Sequence, residues 1–270
     1  MVYALRRPVL GLLSDFGLKD PYVVEMKAVI LSICKDAQII DVSHEIEKFN
    51  VRMGAFVLAS AVSYFPKGTV CVAVVDPDVG TRRRPIVVET KRSLLVGPDN
   101  GLLTLATEKE EIKHVYEIGN TAFMLPRVSK TFHGRDVFAP AAAYLATGRL
   151  PSEAGSKVDD YFIPKYAKPT IEDNALAGEV LHIDDFDNII TNVSEKNLNT
   201  INAKQDVPLL VKLERKVLRP RYCSTYGEVD ANELLAVIGG HGFLEIAVNR
   251  SNAASKLKAR VGMNVRIAKA

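Results

Sequence analysis

Apolar and polar positions along the chain follow two different rhythms, and the change between them falls near residue 150. Before it, short unbroken apolar runs alternate with stretches of helical spacing. Val9 to Leu13 reads as a buried strand ending at "SDFG". Asp20 and Pro21 then mark a helix start, with aspartate as the cap and proline in the first position. Val23, Met26, Val29, Ile30 and Ile33 continue that helix to about Lys35. "AQIIDV" predicts another buried strand, and Arg52 to Tyr64 a second helix closed by Pro66 and Gly68. "TVCVAVVD" reads as a third strand. "RPIVVET" and "SLLVGPDNG" read as paired strands around a charged turn, and Val137 to Ala146 as an alanine-rich helix. Strands alternating with helices predict an α/β layer with a mostly parallel sheet.

After Gly148 the pattern changes. Leu150 to Ala177 is polar and carries Pro151, Pro164 and Pro169, as a linker with some local structure would. From Gly178 the runs are short and strand-like: "EVLHID", "VPLLVKL", "ELLAVIG", "FLEIAVN" and "NVRIAKA". They predict a small antiparallel β-barrel domain. The expected plan is an α/β domain over residues 1–165 and a β-barrel domain over residues 166–270.

Composition changes this picture little. A chain of 270 residues, 47% hydrophobic and 25% charged, can bury a sizeable core. The net charge of +3 is spread among interleaved acids, which argues against a nucleic-acid partner. The one dense basic cluster is Arg82, Arg83 and Arg84. Cys34, Cys71 and Cys223 have neither metal-ligand nor C-x-x-C spacing, so buried free thiols in a reducing cytoplasm are expected. Arg6 and Arg7 precede an apolar run that stops at Ser14-Asp15, too short for a signal peptide or a membrane span. Asn192 and Asn249 match a glycosylation pattern, which carries little weight without a secretory signal.

Three acids end apolar runs: Asp15, Asp41 and Asp76. In a parallel sheet such strand ends converge on one crevice. Asp41 reads mainly as a cap or turn residue, whereas Asp15 and Asp76 read as functional. Carboxylates at such an edge suit vicinal ribose hydroxyls or a cationic ligand. Dinucleotide, P-loop, zinc-protease and serine-hydrolase signatures are all absent. His133 in "TFHGRDVFAP" sits on a loop before a helix, while His44, His114 and His182 read as structural. Arg135-Asp136 reads as an ion pair or a first-turn acid. Asp184 and Asn188 sit at a strand end and its turn, where an amide could match a purine edge or simply build the turn.

"SDFGLKDPYV", "IIDVSHEI", "VVDPDVGTRRRPIVV", "VGPDNGLLT", "TFHGRDVFAPAAA", "IDDFDNIITN" and "LEIAVNRSNAA" occur in one order across nearly the whole chain. In these blocks the sequence closely resembles the S-adenosyl-L-methionine (SAM) hydroxide adenosyltransferases, adenosine-forming SAM hydrolases related to the fluorinase and chlorinase. The resemblance implies a nucleoside-binding α/β domain, a C-terminal β-barrel and a homotrimer with sites at subunit interfaces. It implies attack of water or hydroxide on C5′ of SAM, with a triad at Asp76, Arg83 and His133. It places Asp15 on the ribose hydroxyls and Phe49 against the nucleoside. Asp20 and Asp184 would face the methionine ammonium, Asn188 the adenine edge, and the loop of Arg250, Asn252 and Ala254 would give adenine backbone contacts. Fluorinase-like relatives carry tyrosine in place of Asp76 and serine in place of Gly134. Three positions depart from the pattern: Asp78 and Asp187 stand for glycines, and His241 lies where relatives often carry a serine.

The chemistry is consistent with these residues. Displacement at C5′ expels a neutral thioether from a sulfonium, so the difficulty lies in the nucleophile, which a cation and a base would activate. No metal and no cofactor is expected, SAM being the substrate. The other readings are a halogenating SAM enzyme on the same scaffold and a non-catalytic SAM or adenosine sensor. A methyltransferase lacks its glycine-rich loop here.

Overall fold

The computed structural model describes residues 7–270; Arg6 lies outside them. The chain divides into two compact units, one ending at Pro164 and one spanning Lys165–Ala270.

In chain order the first unit contains β1 (Val9–Ser14), α1 (Tyr22–Ile33), β2 (Gln38–Ser43), α2 (Val51–Val62) and β3 (Val70–Val74). β4 (Pro85–Thr90), β5 (Leu94–Pro98), α3 (Thr104–Glu110), β6 (Ile112–Glu117) and α4 (Ala139–Ala146) follow. The strands form one sheet in the order β2-β1-β3-β5-β4-β6. β1 pairs in parallel with β2 and β3, and β3 with β5, while β4 is antiparallel to both β5 and β6. The sheet is therefore mixed rather than mostly parallel. The cause is the tight turn between Thr90 and Leu94, since so short a connection joins only antiparallel strands.

β1 and β3 are buried along their whole length, as central strands covered on both faces must be. α1 and α4 cover them, with Met26 and Ile30 packed among Leu10, Leu12, Val72, Val74 and the alanines of α4. β2 corrects an expectation. It was to be buried, but as an edge strand with β1 as its neighbour it is largely exposed. α1 corrects another. It begins at Tyr22 with Pro21 in the cap position and no side-chain cap, so the Asp20 carboxylate is not spent on the helix. α2 does have a cap, Asn50, whose side chain accepts the Met53 N–H at 2.9 Å.

The second unit contains β7 (Thr170–Glu172), β8 (Ala175–Ile183), β9 (Ile189–Ser194), α5 (Glu195–Thr200), β10 (Leu209–Leu213) and β11 (Lys216–Leu218). It continues with β12 (Arg221–Cys223), β13 (Leu234–Ile238), β14 (Phe243–Val248), α6 (Ala253–Leu257) and β15 (Asn264–Lys269). Its sheet runs β11-β10-β15-β8-β9-β14-β13-β12, with β7 beside β8. Every pairing is antiparallel except β12 with β13. The sheet curls: Leu209 N–H donates to the Pro220 carbonyl at 2.9 Å and Asp206 N–H to the Tyr222 carbonyl at 2.8 Å, joining the β10 and β12 ends. Asn192, one of the glycosylation matches, is buried, accepts the Glu179 N–H and donates to the Tyr166 carbonyl. Among the described residues no helix is long and apolar enough to cross a membrane.

Candidate active site

Parallel strands deliver their carboxyl ends to one edge of a sheet, and the loops beyond β1, β2 and β3 meet there. Together with the segment leading into α4 they line a cleft of about 230 Å³ with Asp15, Asp20, Lys48, Phe49, Asp76 and His133. That volume is below the roughly 300–1,000 Å³ usual for a whole small-molecule site. A larger hollow of about 630 Å³ lies by Pro8, Gly68 and Leu94, at the opposite strand ends, and carries none of the predicted site residues.

Asp76 follows β3, Arg83 precedes β4, and His133 caps a π-helical turn, Gly134–Phe138, that runs into α4. Single π turns of this kind recur at functional sites. The turn is tied down by Asp136, which accepts the Ser129 N–H at 2.8 Å and the Arg135 Nε at 2.7 Å, while Arg135 also reaches Glu25 of α1. Gly80 lets the loop between Asp76 and Arg83 come close. Its φ is +79°, and a Cβ there would run into the Lys130 carbonyl.

Arg83 grips Asp76 with two parallel bonds, Nε to Oδ1 at 3.1 Å and Nη2 to Oδ2, and both side chains are only 5% exposed. The same Nη2 lies 3.2 Å from His133 Nδ1. A guanidinium nitrogen can only donate, so His133 Nδ1 accepts and the neutral ring carries its proton on Nε2. Burial, then the Arg83 charge, lowers the His133 pKa from its ordinary value and keeps the ring neutral. Burial raises the Asp76 carboxyl above its ordinary value, although Arg83 pulls the other way. Arg83 Nη1 is buried without a hydrogen-bond partner among the described residues. Arg83 does not line the cleft; it clamps from behind the two groups that do. Its neighbours divide the basic cluster: Arg82 is exposed, and Arg84 is bound to Asp99 and Asp160.

Asp15 is buried; its Oδ2 accepts the Phe49 N–H at 2.8 Å and its carbonyl accepts Lys48 Nζ. Phe49 is held at φ +65°, a costly conformation for an aromatic residue, and the residue is 69% exposed. Asp41 does not line the cleft and pairs with Lys27 and His44. Phe16, Tyr22 and Phe132 do line it, with ring centroids 5.2–5.7 Å apart and steeply tilted planes. Sequence reading missed these three rings and Lys48. The available signal was adjacency: Phe16 follows Asp15, Tyr22 follows Asp20-Pro21, Phe132 precedes His133 and Lys48 precedes Phe49.

The remaining predicted residues gather in the second unit. Asp184 accepts the backbone N–H of Phe186 and of Asn188 and the Asn188 side-chain amide, so it builds the turn after β8. Asp187 takes φ +64°, the conformation its glycine counterpart would supply. Its carbonyl accepts the Ala254 N–H and its carboxylate the Ser255 N–H at 2.7 Å. This binds the turn carrying Asn188 to the loop carrying Arg250, Asn252 and Ala254, and uses the Ala254 N–H internally. Asp78 adopts no left-handed conformation, which in that loop falls to Gly80. His241 accepts the Phe243 N–H at Nδ1 and places Nε2 2.9 Å from Glu245, which Tyr226 also bonds.

Residues 10–155 match the family model described as SAM hydroxide adenosyltransferase N-terminal domain, and residues 178–266 that of the C-terminal domain. A protein of Methanocaldococcus jannaschii named (R)-S-adenosyl-L-methionine hydrolase is 37% identical over 259 residues, 92% of this chain and 91% of its own. One of the same name from Thermus thermophilus is 37% identical over 268 residues, 97% of this chain and 99% of its own. The solved structure of an uncharacterized conserved protein from Thermotoga maritima superimposes with a TM-score of 0.86 at 39% identity, over 96% of this chain and 100% of that one.

Proposed function

The chain belongs to the SAM hydroxide adenosyltransferase family, and from that membership and the cleft geometry we propose that it hydrolyses SAM to adenosine and L-methionine with Asp76, Arg83 and His133 at the reacting centre. The observation that carries the reading is the Arg83 clamp: one buried guanidinium holds a carboxylate and a neutral imidazole at the edge of a cleft lined by acids and aromatic rings.

The roles follow from donor and acceptor counting. With Nδ1 occupied, His133 offers an N–H to the oxygen of the attacking water, and Asp76 is the group left to accept its proton. Its raised pKa makes it a better base than a solvated carboxylate. The permanent charge of Arg83 stabilises the hydroxide that forms, and its unpartnered Nη1 is a further donor for that region. The reaction forms one O–C5′ bond and breaks the C5′–S bond; the electron pair leaves on sulfur as a neutral thioether, so neither a general acid nor a cofactor is called for. Asp15 takes the ribose hydroxyls, Phe49 packs on the nucleoside, and Asp20 faces the ammonium. Phe16, Tyr22 and Phe132 give the sulfonium an aromatic wall.

The small cleft volume supports a site completed by a second copy. In this reading the active form is a homotrimer, and a neighbouring copy brings Asp184, Asn188, Arg250, Asn252 and Ala254 to the substrate. Buried free thiols at Cys34, Cys71 and Cys223 fit a cytoplasmic setting. Incubation of the purified protein with SAM, followed by chromatography, is expected to yield adenosine and methionine in equal amounts. No adenosine above a boiled control would overturn the assignment.

A further inference from the structure

We propose that Ser14, His44 and Asp41 form a positioning relay that fixes the ribose-binding carboxylate of Asp15 from outside the cleft. The inference rests on the reading of Asp15 as the ribose ligand.

His44 is buried between two partners. Its Nδ1 lies 2.7 Å from Ser14 Oγ, and its Nε2 lies 3.1 Å from Asp41 Oδ1. The directions of both bonds can be assigned. Asp41 is held ionised: burial opposes this, but hydrogen bonds from Lys27 and His44 bring its pKa below the ordinary value. An ionised carboxylate only accepts, so His44 Nε2 carries the proton and Nδ1 accepts from the Ser14 hydroxyl. Ser14 Oγ in turn accepts the Phe16 N–H at 3.3 Å, which spans Asp15. The His44 carbonyl accepts the Gly17 N–H at 2.8 Å. Segment 14–17 is thus held to His44 at two points on either side of Asp15. With Oδ2 taken by the Phe49 N–H, Asp15 keeps Oδ1 without a partner among the described residues. Donation runs in one sense from the Phe16 N–H through Ser14 and His44 to Asp41, where Lys27 donates from the other side, so the tautomer of His44 is specified by its surroundings.

The test compares adenosine with 2′-deoxyadenosine, by calorimetric titration, in wild type and variants. Wild type is expected to prefer adenosine. His44→Ala and Ser14→Ala are expected to cut that preference about tenfold, the size of one lost hydrogen bond to a charged group. They raise the KM for SAM with little change in kcat, and their effects are not additive. His44→Asn, which keeps an acceptor near the Nδ1 position, is expected to restore the preference. Ser14→Ala removes a single oxygen and serves if His44→Ala does not fold. If wild type discriminates and the variants discriminate equally well, the relay is wrong. If wild type does not discriminate, the Asp15 reading is wrong and the relay falls with it.

Discussion

Asp76 and His133 carry opposite pKa shifts from one cause, the loss of water around each: the acid is raised and the imidazole lowered. With Asp76 as the base, loss of kcat/KM on acidification should therefore have its midpoint above the ordinary carboxylate value of about 3.9. A pH–rate profile showing it at or below the ordinary carboxylate value would contradict the raised pKa of Asp76. His133→Asn keeps an acceptor for Arg83 but cannot titrate. If Asp76 takes the proton, the acid limb persists in this variant at lower overall rate; its disappearance would transfer the proton to His133. Arg83→Lys keeps the charge and loses the fork, and should lower kcat about 10²–10³-fold in a steady-state assay. Much of this site was legible at the residue scale, because Asp76, Arg83, His133 and Asp15 lie within recognisable blocks. The clamp was not. That Arg83 stands behind the other two depends on the approach of loops 50 residues apart in sequence, which no local pattern encodes.

The elements show where local pattern suffices. Continuous apolar runs gave β1 and β3 because central strands need apolar side chains on both faces. β2 carries the same kind of run, "QIID", yet is exposed, since edge position is a property of sheet order and not of the strand itself. β9 went unanticipated because Thr191 and Asn192 interrupt its apolar character; both are buried and hydrogen-bonded, one to the Leu244 carbonyl. α5 and α6 are too short for helical periodicity to register. The turn between Asp76 and Arg83 belongs to this scale as well. Gly80→Ala combines a left-handed φ with a Cβ against the Lys130 carbonyl, and should cost roughly 1–3 kcal/mol or more in denaturant unfolding. It should also lower kcat, by displacing Asp76 relative to His133. Unchanged stability would mean that this loop can rearrange freely.

For the whole molecule, the two rhythms of the sequence correspond to a mixed sheet with helices and to a curled sheet with few. Assembly is the property that neither rhythm encodes. Sedimentation should give three times the 29.6 kDa chain mass, and specific activity should fall on dilution into the dissociated range. A fully active monomer would exclude a shared site. The acids of the cleft have a consequence for encounter. The protein is net positive, and SAM at neutral pH is a net cation, so the long-range field repels it. Asp15, Asp20 and Asp76 against Lys48 and Arg83 leave one net negative charge and reverse that sign locally, and a walled depression focuses the field outward. Salt screens the long-range repulsion before the short-range attraction, so kcat/KM should hold or rise with added salt while kcat stays constant. Adenosine, being uncharged, feels none of this attraction, so the electrostatic pull that brings the sulfonium in is cancelled by the reaction itself and does not delay the nucleoside's departure.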